Sequence, residues 1–266
     1  MNAKRFDPAK TLRRLLGRGG RTARPRRPRL RLDTSSSAVY AVGDVHGCLD
    51  ELLALERLIG TDAEQLPPCP RLIVMLGDYV DRGPASAQVL DHLTEPPPLG
   101  FERVCLAGNH DLMMLDFLEG RCELSAWLAM GGEATLASYG IDVSGLGRAR
   151  FRRQVEDAVR QSIPAAHLAF LRGLPVLLES PKFLFVHAGI RPGLPLAGQS
   201  DNDLVTIRSA FFDHAALLER YVVHGHTPVA RPTLEGRRLN LDTAAFSTGR
   251  LTCARLWNKK ARFITT

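Results

Sequence analysis

Three short apolar runs each stop at a glycine-flanked polar cluster, and this repeated junction constrains the chain more than any other feature. Ala38–Val42 runs into Gly43-Asp44-Val45-His46-Gly47. Leu72–Leu76 runs into Gly77-Asp78-Tyr79-Val80-Asp81-Arg82-Gly83, and Val104–Ala107 into Gly108-Asn109-His110-Asp111. Short, β-branched-rich runs bounded by glycine read as buried strands. Further on, Phe183–Val186 delivers His187, and Tyr221–Val223 delivers His224, Gly225 and His226. Five strand ends thus bring carboxylates, imidazoles and a carboxamide to one edge. Oxygen ligands mixed with imidazoles suit divalent first-row cations such as Mn, Fe or Zn rather than a thiolate site. Asp44 and His46 are two residues apart, so in an extended segment their side chains point the same way.

Between these junctions the chain alternates. Leu49–Ile59 carries an apolar stripe through Leu52, Leu53, Leu55, Leu58 and Ile59 and predicts a helix. Pro84 opens a second helix over Ala85–Leu93, a favoured first-turn position. Leu112–Leu118 continues the third cluster as a helix. Residues 120–174 read as a mainly helical insertion, broken at Pro164. From residue 175 strands dominate: Val176–Leu178, Phe183–Val186, Tyr221–Val223, Arg238–Leu241 and Leu251–Leu256. The expected fold is α/β (α+β), a central two-sheet β-sandwich flanked by helices.

Charge divides the chain. Residues 1–33 hold twelve Lys and Arg against Asp7 and Asp33, a local charge of +10. The remainder carries twenty-three basic and twenty-six acidic residues, or −3. Residues 1–37 therefore read as a disordered basic tail, suited to nucleic acid or an anionic surface, and residues 38–266 as the folded domain. Arg13-Arg14 precedes no apolar stretch of signal-peptide length, so no secretory signal is expected. No run of eighteen apolar residues predicts a transmembrane helix. Five cysteines with no paired spacing (Cys48, Cys69, Cys105, Cys122, Cys253) read as reduced thiols of a cytoplasmic protein. His92, His167 and His214, away from every cluster, read as surface or satisfied core residues.

The ordered set GDxHG, GDxxDRG, GNH and two later histidines resembles the calcineurin-like metallophosphoesterases, and within them the phosphoprotein phosphatases. The resemblance spans Asp44 to His226. It implies the four-layer metallophosphoesterase fold and two divalent metal ions, Mn foremost, with Fe or Zn as alternatives. Asp44 and His46 then resemble ligands of the first metal, Asp78 the bridging carboxylate, and Asn109, His187 and His226 ligands of the second. His110 resembles the general acid and Asp81 the carboxylate that orients it. Arg82 resembles a phosphate-binding arginine, and Arg208 is the candidate for a second. Asp111 stands where many relatives carry Glu. His226, directly before Thr227-Pro228, fits the late ligand better than His224. Trp127-Leu128 with Gly131-Gly132 resembles a segment beside the substrate cleft of bacterial protein phosphatases.

The resemblance implies a phosphoric monoester hydrolase, foremost a bacterial serine/threonine protein phosphatase. The alternative is a symmetrical bis(5'-nucleosyl)-tetraphosphatase, whose GDVHGC, GNHD and HAGI segments match Gly43–Cys48, Gly108–Asp111 and His187–Ile190. Asp81 and the short interval from His187 to His226 weigh toward the first. An inactive nucleic-acid-binding scaffold is a third class, opposed by the intact ligand set.

Overall fold

A computed structural model describes residues 25–143 and 152–266. Two sheets face each other. One has five strands in the order β11-β10-β2-β3-β4, built from β2 (Ala38–Val42), β3 (Arg71–Met75), β4 (Glu102–Cys105), β10 (Thr252–Trp257) and β11 (Lys260–Thr265). The other has six, in the order β1-β5-β6-β7-β9-β8. They are β1 (Arg29–Arg31), β5 (Leu177–Glu179), β6 (Phe183–Val186), β7 (Tyr221–His224), β8 (Thr233–Glu235) and β9 (Arg238–Asn240).

Alternation along each strand separates two cores. Val39 and Ala41 of β2, Leu72 and Val74 of β3, Phe185 of β6 and Val223 of β7 meet inside the sandwich. Their neighbours Ala38, Tyr40, Val42, Ile73, Met75, Leu184 and Val222 point outward into the helical layers. Burial on both faces is what parallel strands require, and it explains why these runs read as continuously apolar. The helices are α1 (Leu49–Glu64), α2 (Ser86–Thr94), α3 (Asn109–Leu118), α4 (Leu124–Leu128), α5 (Gly132–Ser138), α6 (Arg152–Ser162), α7 (Ala165–Gly173), α8 (Asp201–Thr206), α9 (Ser209–Phe212) and α10 (Ala245–Thr248). The expected two-sheet sandwich flanked by helices is therefore present, and four helices, α4 to α7, lie in the described part of residues 120–174. None of the described helices is long and apolar enough to cross a membrane.

One boundary differs from expectation. The basic segment does not stay apart from the body until residue 37, because β1 pairs in parallel with β5. Arg29 donates to Asp201 Oδ1 at 2.8 Å and to the Leu196 and Gln199 carbonyls. The largely buried Arg27 donates to the Leu174 carbonyl at 3.0 Å, and its backbone N–H donates to Asp201 Oδ2. Arginine here serves as a rigid multi-donor that satisfies loop carbonyls, a role that charge counting reads as solvation. The remainder of the tail, residues 1–24, lies outside the described residues.

The strands β2, β3, β6, β7 and β9 are arranged so that the parallel pairs β2–β3, β6–β7 and β7–β9 end at one edge of the sandwich. Crevices at the carboxyl ends of parallel strands are where α/β folds place ligands.

Candidate metal centre

The turns after β2, β3 and β7 carry the polar residues, and their backbone is forced into an unusual shape. Five of the eight non-glycine residues with positive φ among the described residues are His46, Asp78, Asp81, Arg82 and His226. Such conformations cost on the order of 1–3 kcal/mol each and persist only where surrounding structure holds them. Asp111 supplies part of that hold. Its carboxylate accepts the backbone N–H groups of Asp78, Tyr79 and Gly108, each at 2.8 Å. Burial, then the nearby Asp78 charge, pushes the Asp111 carboxyl up to about 7. Asp111 thus ties the second cluster to the third, a role its position in the motif did not reveal.

Two glycines are dictated by close approach. A Cβ on Gly108 would collide with the Asp78 carboxylate, and one on Gly225 with that of Asp44.

Asp78 lies at the middle of the site. Its Oδ2 is 3.3 Å from His187 Nε2, 3.5 Å from His46 Nε2 and 4.0 Å from His110 Nε2, while its Oδ1 accepts the His110 backbone N–H at 2.9 Å. Burial alone would raise the Asp78 carboxyl, but the imidazoles of His187 and His110 carry it well below the usual range. His46 Nδ1 is 2.8 Å from the Val80 carbonyl, and His187 Nδ1 is 3.0 Å from that of Leu76. A carbonyl only accepts, so both Nδ1 atoms carry a proton, and each Nε2 is the ring nitrogen turned toward the Asp78 carboxylate. Imidazole nitrogens and carboxylate oxygens are the atom types that bind a divalent first-row cation.

Two groups of donor atoms could hold such cations: His46, Asp78 and His110, and Asp78, His187 and His226. Asp78 is common to both. Asn109 Oδ1 lies 3.0 Å from His187 Nε2 and joins the second group. His226 Nδ1 is 3.2 Å from His187 Nε2, and its buried Nε2 has no partner among the described residues. Burial holds the His226 ring neutral, with a pKa pushed down to about 3, and that of His46 to about 4. Asp44 stands beside these groups rather than within them, accepting the His226 backbone N–H at 3.0 Å. Burial, then the charges of Asp242 and Asp78, raises the Asp44 carboxyl well above its ordinary value. Three buried carboxylates crowded together are a site for positive charge.

The other sequence candidates converge on the same cleft. His110 Nδ1 is 2.7 Å from Asp81 Oδ2. Arg82 reaches His46 Nε2 through Nη1 at 2.9 Å and His110 Nε2 through Nη2 at 3.0 Å. Its guanidinium carbon lies 4.9 Å over the Phe246 ring. Arg208 is exposed at the rim and donates to the His226 carbonyl at 3.2 Å. His224 turns away: its ring packs on Phe211 at 5.1 Å, and its Nδ1 faces the Gly225 carbonyl. His92, His167 and His214 stand outside the site, paired with Glu56, with Tyr139 and Asp91, and with the Ala210 carbonyl. Cys48 is buried, and burial pushes its thiol up to about 12, so it is an inert core residue. Asp242 and Phe246 were not legible as site residues: Asp242 follows the Arg238–Leu241 run but without the flanking glycines that mark the other clusters, and Phe246 follows no apolar run.

The calcineurin-like phosphoesterase profile matches residues 38–243, which include every candidate metal ligand, the His110–Asp81 pair and both arginines. The chain belongs to the calcineurin-like phosphoesterase family. A dinuclear divalent metal centre is the common property of that family, and the two donor groups sharing Asp78 fit it. Among curated relatives, the asymmetrical bis(5'-nucleosyl)-tetraphosphatase PrpE of Anoxybacillus flavithermus is 26% identical over 234 residues, covering 80% of this chain and 88% of its own. The protein of the same name from Bacillus velezensis is 28% identical over 233 residues, covering 79% and 86%. Among solved structures, a crystal structure described as that of a "putative diadenosine tetraphosphatase" superposes with a TM-score of 0.61 at 22% identity, over 90% of this phosphoesterase and 98% of that chain. A serine/threonine phosphatase from Saccharomyces cerevisiae gives 0.54 at 14% identity, over 90% and 84%. These two likenesses establish the fold.

Proposed function

We propose that this phosphoesterase hydrolyses phosphoanhydride bonds of dinucleoside polyphosphates, with diadenosine tetraphosphate as the representative substrate. The shared carboxylate Asp78, with imidazole nitrogens within 3.5 Å on two sides, is the observation that supports metal-dependent phosphoryl chemistry. The substrate class is supported by the curated relatives, which match four-fifths of the chain and bear the tetraphosphatase name. This reverses the weighting of a serine/threonine phosphatase drawn from the motifs. The short interval from His187 to His226 was one reason for that weighting. Relatives of comparable length carry the tetraphosphatase name, so the interval is no argument against it.

In this reading Asp44 and His46 would hold one metal, Asn109, His187 and His226 the other, and Asp78 would bridge them. Two such cations supply an activated water and charge neutralisation for the phosphoryl oxygens. The chain's own residues do the rest. Arg82 offers a planar fork to two phosphate oxygens, and its stacking on Phe246 keeps the fork from swinging away. Arg208 adds charge at the rim, where the remaining phosphates of a long polyphosphate would lie. His110 would donate a proton from Nε2 to the departing oxygen once Arg82, whose Nη2 faces that atom at 3.0 Å, has turned to the phosphate, and Asp81 holds its Nδ1–H. Burial lowers the His110 pKa, yet Asp78 and Asp81 outweigh it and the net direction is upward.

A second reading has a specific observation behind it. The His110–Asp81 pair is complete, and proton donation matters most where the leaving group is a basic alkoxide, as in a phosphoserine or phosphothreonine monoester. The test is product analysis with metal-reconstituted protein, on diadenosine tetraphosphate and on phosphoserine, phosphothreonine and phosphotyrosine peptides. Formation of ATP and AMP is expected. Two molecules of ADP would move the reading to symmetrical cleavage. Fast peptide turnover with negligible dinucleotide turnover would overturn it in favour of the monoesterase.

A further inference from the structure

The paired helices α4 and α5 of the insertion touch the site at one place. Asp81 Oδ2 binds His110, and the other oxygen, Oδ1, accepts two hydrogen bonds from the insertion. One comes from Trp127 Nε1 on α4 at 2.9 Å, the other from Thr135 Oγ1 on α5 at 2.8 Å. All three side chains are fully buried. The same insertion holds the backbone. Thr135 Oγ1 lies 2.8 Å from the Asp81 N–H, Ser86 Oγ lies 3.1 Å from it, and the Gly131 carbonyl accepts the Arg82 N–H at 3.2 Å. Asp81 and Arg82 are both in the left-handed region, with φ of 72° and 70°.

We infer that Trp127 and Thr135 are positioning residues for the proton donor: the insertion sets the carboxylate plane of Asp81, and through it the orientation of the His110 imidazole. This rests on His110 being the acid of the proposed function. With two donors on Oδ1 and the imidazole on Oδ2, the carboxylate cannot rotate without breaking a buried bond, which is costly. Trp127 is itself fixed. Its ring stacks on Phe117 at 5.3 Å with an interplanar angle of 28°. Gly132 presses against its far side, where a Cβ would lie 2.7 Å from Nε1. A ring held by shape and a hydroxyl held by a third partner, Ser86 at 3.2 Å, form a rigid bracket. Supporting partners of this kind typically change activity by about 10–100-fold when removed.

Trp127→Phe keeps the stack and removes only the N–H, and Thr135→Val keeps the volume and removes the hydroxyl. Both are compared with His110→Asn, with the exposed-site control Ser125→Ala, and with Thr135→Ser, which restores the hydroxyl. Two readouts are taken. The first is the downfield Nδ1 proton resonance of His110, identified by its loss in His110→Asn. It is expected to move or broaden in Trp127→Phe and Thr135→Val, and to return in Thr135→Ser. The second is turnover of a series of substituted phenyl phosphates by the metal-loaded protein. There the loss should grow with leaving-group basicity, reaching roughly tenfold at the basic end, with metal content unchanged. A resonance that stays in place in both variants overturns the inference. So does a loss equal across the series, when His110→Asn itself is selective. If His110→Asn is not selective either, the acid assignment falls, and the inference falls with it.

Discussion

Replacing Asp78 by Asn separates two roles of the same carboxylate. Asn keeps an Oδ1 that can accept the His110 backbone N–H, now at 2.9 Å, so local geometry survives. It removes a charge that sits between His46 and His187 and that raises the neighbouring Asp44 carboxyl. In chelator, the variant sheds repulsion among Asp44, Asp78 and Asp242 but also loses the attraction of the His187 and His110 rings that holds the Asp78 carboxyl below its ordinary range, so it should be less stable than the parent. Metal should widen the difference. A ligand present at about one hundred times its dissociation constant stabilises by about 2.7 kcal/mol, which for a domain of this size is roughly 5–11 °C in Tm. The parent should gain that increment on adding Mn, whereas Asp78→Asn should gain at most a small fraction of it. Turnover should be nearly abolished. Thermal melts with and without metal, paired with elemental analysis, measure both. Two metals retained at a near-normal rate would refute the bridging role. A variant more stable than the parent in chelator would refute the argument from the imidazoles.

The late histidines should separate in the same assay: His226→Ala loses metal and His224→Ala does not, as judged by elemental analysis, and the reverse result would exchange their roles. Deleting residues 1–33 removes β1 together with the Arg27 and Arg29 hydrogen bonds, and should cost about 2–4 kcal/mol, roughly 5–15 °C in Tm; an unchanged melt would place that segment outside the body. Acid unfolding should carry a contribution from His224, whose pKa burial pushes down to about 3, with the hydrogen bond to Gly225 only partly opposing. Its folded pKa lies below the unfolded value, so this stability is complete above about pH 6.5 and is lost as pH falls toward 3, at about 1.4 kcal/mol per unit. His224→Phe should flatten that part of the pH–stability curve in chelator, and an unchanged slope would show that the ring is protonated in the folded state.

The residues that gather around Asp78 were readable because each one follows its own strand. Asp44, His46, Asp78, Asn109 and His187 stand within a few residues of an apolar run, so the local rule that buried strands end at one sheet edge brings them together. The helices were readable for the same reason, to within a few residues: Leu49–Ile59 became Leu49–Glu64, and Ala85–Leu93 became Ser86–Thr94. The three-residue strand β1 gave no periodicity to read, and its arginines looked like solvated charge until Asp201 and the loop carbonyls appeared opposite them.

The sequence by itself determined which chemistry gathers at the strand ends, because side-chain type and strand alternation are local properties. Only the tertiary structure decided how those groups are held. Asp111 grips three backbone amides 3 to 33 positions away in sequence. Trp127 and Thr135 meet Asp81 across 46 and 54 positions. Phe246 reaches Arg82 across 164 positions, and His226 rather than His224 lies beside His187 and Asp78, in a turn after β7 that is left-handed at His226. Hydrogen-bond partners and aromatic stacks between distant segments leave no spacing in the chain. They are set by the packing of one layer on another.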